Sequence, residues 1–135
     1  YDAYFYKDAG IPVTMGIATN DHFQESMLAY KKGDYGQAKT MFKTLLKNAP
    51  KNDTLQYYLA MSHLNHNESN VAKPYLQALA KDPQSPYNEV SSYFLALIHL
   101  KNNDREKAKM HLKNCKLDLA QKLLNELEWK PIYFS

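Results

Sequence analysis

Large apolar side chains recur along this chain at helical spacing. They fall at Tyr57, Tyr58, Met61 and Leu64, and after a polar break they resume at Ala72, Leu76, Leu79 and Ala80. Steps of three and four place such residues along one side of an α-helix. The pattern then returns: "YYLAMSHLNHNESNVAKPYL", Tyr57 to Leu76, is restated thirty-six residues later by "YFLALIHLKNNDREKAKMHL", Tyr93 to Leu112. About half the pairs are identical, among them Leu59/Leu95, Ala60/Ala96, His63/His99, Asn67/Asn103, Ala72/Ala108 and Leu76/Leu112. A fainter copy lies upstream, where "GDYGQAKTMFKTLLKNAP" puts Ala38 and Phe42 thirty-four residues ahead of Ala72 and Leu76. Self-similarity at this period marks stacked units that each bury a face against the next.

The periodicity predicts helices over 20–32, 35–48, 53–66, 70–81, 87–102, 104–115 and 117–128. Their starts carry capping chemistry. Asp34 precedes Gln37 by three residues, as Asp53 does Gln56 and Asn103 does Glu106. At that spacing an N-cap oxygen accepts an orphan N–H while the later side chain reaches back. Ser85 before Pro86 suits a cap followed by a first helical residue. Pro50 and Pro83 fall where a helix must stop. Pro74 is compatible with its helix only if that helix begins near Ser69 to Val71. The last helix, "LDLAQKLLNELE", gathers Leu117, Ala120, Leu123, Leu124 and Leu127 on one face, with a polar opposite side suited to closing the end of an array.

Composition narrows the picture without changing it. The 135 residues are 44% apolar and 23% charged, one domain's worth of globular chain, and only 4 glycines favour helices over a turn-rich β fold. A net charge of +3 comes almost wholly from lysine, since Arg105 is the single arginine, and the lysines are interleaved with acids. Nucleic-acid readers instead cluster basic residues and use arginine for bidentate contacts, so nucleic acid is not an expected partner. No apolar run reaches the length of a membrane span, so no membrane contact is expected of this segment itself. One cysteine, Cys115, excludes an internal disulfide. The ends depart from the period. Residues 1–18, "YDAYFYKDAGIPVTMGIA", form an aromatic arm interrupted by Gly10, Pro12 and Gly16, and residues 129–135, "WKPIYFS", form an aromatic tail. The opening reads as a piece of a longer protein, and both ends carry more large apolar groups than a solvated tail.

The spaced residues resemble the tetratricopeptide repeat, whose first helix carries Trp, Leu-Gly and Tyr, and whose second carries Ala, then an aromatic or leucine, with Pro beyond. Leu59-Ala60, Ala72, Leu76 and Pro83 fit it, as do Leu95-Ala96, Ala108 and Leu112, and Ser26, Ala38, Phe42 and Pro50. Ser26, Ala60 and Ala96 are small so that the second helix can approach through Ala38, Ala72 and Ala108. Gln56 and Ser92 fill the tryptophan slot, and His63 and His99 the tyrosine slot. The resemblance implies an all-α, right-handed α-solenoid of three helix pairs plus a C-terminal capping helix. Its units are 19–52, 53–86 and 87–116, with the cap at 117–128. The lead-in "GIPVTMG" to "ESMLAYKKGDYGQA" also resembles the soluble tails of membrane-anchored bacterial envelope proteins. That implies an extracytoplasmic, periplasmic location, with the cytoplasm as the alternative.

By this resemblance the first helices line a concave face for a protein or peptide partner. The expected groove is Phe23, Met27 and Tyr30, then Tyr57, Tyr58, Met61 and Asn65, then Tyr93, Phe94, Leu97 and Lys101. The competing reading makes the same apolar stripe helix-to-helix core. Asn65 and Lys101 are the only polar candidates, too few to clamp a peptide carboxylate. His63 and His66, three apart, and His111 and Cys115, four apart, have spacings that metal sites use, but neither has a second pair nearby, so no metal is expected. Cys115 with His111 nominally offers a nucleophile and base, yet one helix supplies neither an oxyanion hole nor an orienting group. No phosphate loop or nucleophile elbow occurs, so no catalysis and no cofactor are expected. The reading is a non-catalytic interaction module. Its alternatives are a structural or oligomerisation domain whose groove is filled by an aromatic end, with a homodimer through the arm as a variant, and an extracytoplasmic domain of a membrane-anchored regulatory protein.

Overall fold

In the computed structural model the helical period becomes seven α-helices, and residues 17–113 and 115–129 are described. They are α1 (Ile17–Lys31), α2 (Tyr35–Asn48), α3 (Asp53–Asn65), α4 (Ser69–Lys81), α5 (Asn88–Lys101), α6 (Arg105–Lys113) and α7 (Asp118–Trp129). Among the described residues there is no strand, and no helix is long and apolar enough to cross a membrane. The architecture is the expected tetratricopeptide-type helical array. The helices fall into two compact units that divide in the last turn of α4, after Leu79.

The turn inside each helix pair has one design. Gly33 (φ 84°), Asn67 (φ 62°) and Asn103 (φ 63°) are left-handed, a region open to glycine and, at modest cost, to asparagine. The N–H groups of Asp34, Glu68 and Asp104 donate to the carbonyls of Ala29, His63 and His99 at 2.9, 2.8 and 2.8 Å. Those of Gly33, Asn67 and Asn103 donate to Tyr30, Leu64 and Leu100 at 3.1, 3.2 and 3.0 Å. This paired set is the Schellman motif, which satisfies the last carbonyls of the first helix while reversing the chain.

Two of the expected caps shift by one residue. Asp34 does cap α2, its Oδ1 accepting the Gln37 N–H at 3.3 Å. For α3 the cap is Asn52, accepting from the Leu55 N–H at 3.0 Å, while Asp53 becomes the first helical residue, where a negative charge favours the helix N-terminus. For α6 the cap is Asp104, accepting from the Lys107 N–H at 3.1 Å, because Asn103 is committed to the left-handed turn. Ser85 does not cap α5 either. Its Oγ accepts the Tyr87 N–H at 3.2 Å in a turn ahead of the helix, which starts at Asn88. Pro74 lies within α4, and the helix begins at Ser69, as its presence requires.

In the N-terminal unit α1 packs on α2 and α2 on α3 around fully buried Phe42. Phe23 meets that ring edge-on with centroids 6.2 Å apart, Tyr30 at 6.4 Å, and Tyr58 stacks on it at 6.0 Å. Each such ring buries large apolar area, and each pair adds about 0.5–1.5 kcal/mol beyond it. Ser26, Ala38, Ala60 and Ala72 are 0% exposed, as close helix approach demands. Ser26 returns its hydroxyl to the His22 carbonyl at 2.8 Å, so a buried serine leaves no donor unmet.

The C-terminal unit repeats the scheme with α5 on α6 and α6 on α7, over buried Ala96, Ala108 and Leu112. α7 buries Ala120, Leu124 and Leu127, leaves Leu123 half-buried and exposes Gln121, Lys122, Asn125 and Glu126. Its fastening is polar: Gln121 Nε2 donates to the Cys115 carbonyl at 2.6 Å, and Arg105 Nη2 to the Leu127 carbonyl at 3.2 Å.

Candidate functional site

The first-helix faces are more deeply buried than a free groove would be. In α3 eight of thirteen residues are buried, and in α5 nine of fourteen, against three of fourteen in α2. Of the eleven expected groove residues, Phe23, Tyr30, Tyr57, Tyr58, Met61, Tyr93 and Phe94 are all 8% exposed or less. The rings of Phe23, Tyr30 and Tyr58 pack on Phe42 of α2, the helix-to-helix contact of the competing core reading. Tyr57 meets Tyr58 at 5.1 Å and Tyr93 meets Phe94 at 5.5 Å, both edge-on. Met27, Asn65 and Leu97 are half-buried, and Lys101 is exposed. Asn65 turns its Nδ2 back to the Met61 carbonyl at 2.8 Å. Periodicity cannot separate a groove from a core when a helix is apolar on two sides, and Tyr57 and Tyr58, one step apart on α3, are such a case.

A second site was not legible as one. Glu68, in the turn between α3 and α4, holds Lys39 Nζ of α2 at 2.7 Å and His63 Nδ1 at 2.9 Å on the same carboxylate oxygen. His66 Nδ1 lies 3.6 Å from that oxygen and 3.0 Å from Lys39 Nζ. The His63 ring stacks on Tyr75 of α4, with centroids 6.4 Å apart. Hydrogen bonds from Lys39 and then His63 hold the Glu68 carboxyl down to about 2, against desolvation that opposes them. The available signal was positional. Asp34 and Asp104, which follow the left-handed residue of their turns, cap α2 and α6, whereas the longer Glu68 follows Asn67 and reaches the cluster instead.

The His111 and Cys115 pair takes another form. His111 stacks on His99 with centroids 5.2 Å apart and planes 7° from parallel. Cys115 is 0% exposed and its thiol donates to the Glu89 carbonyl at 3.3 Å. Burial pushes the thiol pKa up, the opposite of what a nucleophile needs. Among the described residues no group of three or more His, Cys, Asp or Glu side chains has the arrangement to hold a metal ion.

Comparison with known families adds one finding. Residues 23–52, which run through most of α1, all of α2 and the connection to α3, match the family model of the tetratricopeptide repeat. No curated protein and no solved structure matches the chain. The matched segment holds the left-handed Gly33, the Asp34 cap and the Ser26, Ala38 and Phe42 packing that recur in later helix pairs. Residues 23–52 are therefore similar to a single tetratricopeptide repeat, in keeping with the resemblance that the three helix pairs carry.

Proposed function

We propose that the chain is a non-catalytic module that binds a protein or peptide segment through the faces of its first helices, α1, α3 and α5. The observation that carries this reading is the family match at residues 23–52, since the repeat in general serves protein–protein interaction. Met27, Asn65, Leu97 and Lys101 keep exposed surface on those helices and are the residues left to meet a partner. Apolar Met27 and polar Asn65 in the N-terminal unit, and apolar Leu97 and cationic Lys101 in the C-terminal unit, each suit a segment with apolar and polar or acidic side chains.

A second reading is favoured by one observation. Tyr57 and Met61 in the N-terminal unit are 1% and 0% exposed, and Tyr93 and Phe94 in the C-terminal unit are 1% and 0%. In this reading a terminal segment of the same chain, or of a second copy, occupies the first-helix faces. The aromatic arm 1–18 and tail 129–135, which supply that candidate, lie outside the described residues. Removing residues 1–15 separates the two. On the first reading the shortened chain binds peptides as the parent does and melts at the same temperature. On the second it melts lower, binds an apolar dye and takes up added peptide more tightly.

The extracytoplasmic location is part of the proposal and is supported by the resemblance of the "GIPVTMG" lead-in alone. A topology reporter fused after Ser135 tests it, and activity confined to the cytoplasm would contradict it.

A further inference from the structure

An ammonium has only donors, so the contact of Lys39 Nζ with His66 Nδ1 at 3.0 Å requires that nitrogen to be an unprotonated acceptor. His63 is in the opposite state. Its Nδ1 faces a carboxylate oxygen at 2.9 Å and must carry a proton to bond it. Glu68 thus sits between two imidazoles of opposite tautomer, with Lys39 bridging to the second. A proton placed on His66 Nδ1 would point at the Lys39 ammonium, where like charges repel. The carboxylate oxygen, already 3.6 Å away, is then the better partner.

We propose that Glu68 exchanges cations on acidification: His66 takes a proton, donates to Glu68 and expels Lys39, releasing α2 from the turn between α3 and α4. The carboxylate stays ionised through the exchange, because His63 remains on it and protonated His66 takes the place that Lys39 leaves. The titratable groups at this corner come from every element there. Lys39 comes from α2, His63 from α3, Glu68 from the turn, and Tyr75 from α4 through its stack on His63. The His66 side chain is 50% exposed, so a proton reaches it without opening the fold. Imidazole is the side chain suited to change charge in mildly acidic water. The exchange acts on the contact between the first helix pair and the second, and it holds whether or not the first-helix faces take a peptide.

Two substitutions test it in the full chain. Lys39→Met removes the ammonium but keeps the stem, and His66→Asn keeps an acceptor near the Nδ1 position that cannot be protonated. Thermal melts at pH 8 and pH 5.5 and equal ionic strength give the readout. Lys39→Met is expected to lower Tm by about 2 °C at pH 8 and by less than about 0.5 °C at pH 5.5. In the His66→Asn background the loss should be equal at both pH values. A loss equal at both pH values in the parent, or a pH-dependent loss that persists with His66→Asn, overturns the proposal. Nitrogen NMR of the unsubstituted chain decides independently of how the variants fold. An unprotonated His66 Nδ1 at pH 8 and a Lys39 Nζ signal that moves in step with His66 protonation are expected. A protonated Nδ1 at pH 8, or a Lys39 signal indifferent to His66, would overturn it.

Discussion

Gly33 and Gly36 show how little residue identity means without backbone geometry. Gly33 is left-handed, so a Cβ there is strained although nothing lies within 4 Å of it. Gly36 sits inside α2, and a Cβ there would meet the His66 ring, Cε1 at 3.6 Å and Nε2 at 3.9 Å, both ordinary contacts. Gly33→Ala should therefore cost about 1 kcal/mol, while Gly36→Ala should stabilise by up to about 1 kcal/mol through reduced chain entropy. Denaturant melts of both variants check this, and shifts of the same sign would contradict it. At the same scale Glu68 couples stability to acid. Its carboxyl ionises near 2 in the folded chain against 4.5 for the free group, so the folded state binds fewer protons between those values. Whichever cation pairs with it, Lys39 or a protonated His66, the contribution of the ionised carboxylate is present above pH 4.5 and is lost as pH falls toward about 2. Glu68→Gln should accordingly lose stability less steeply than the parent between pH 4.5 and 2, and added salt should shrink the difference. Parallel profiles for the two proteins would contradict that.

Elements were the most legible scale, because periodicity and turn chemistry agree wherever a single face is buried. All seven helices lie within three residues of their predicted ends. The misses were local competitions. Asn103 has the side chain of a cap, but the left-handed turn claims it and Asp104 takes the cap. Ser85 likewise serves its own turn before α5. The apolar stripes of α3 and α5 were readable as helix, but not as groove or core, because both helices are buried on more than one side. Close helix approach gives the sharpest element-scale prediction. Ala60 and Ala96 are 0% exposed, so Ala60→Leu or Ala96→Leu forces methylenes into a filled contact at about 1–3 kcal/mol each. Two unchanged unfolding midpoints would mean that the repeats are wrongly aligned.

On the scale of the molecule, three helix pairs share one turn, with a left-handed residue at Gly33, Asn67 and Asn103, and a polar-faced helix follows them. The Glu68 cluster links helices within the N-terminal unit. The repeat suggests a protein partner in general, and the proposal places that partner on the first helices. Legibility ended there, because a partner's identity resides in a few exposed side chains and not in the periodic ones. Backbone NMR mapping of a library-selected peptide on the isotope-labelled chain tests that claim most directly. The account predicts that amide shifts concentrate on α1, α3 and α5, around Met27, Asn65, Leu97 and Lys101, and that Leu97→Glu weakens binding at least about tenfold. Shifts confined to α2, α4 and α6, or binding indifferent to Leu97→Glu, would contradict it.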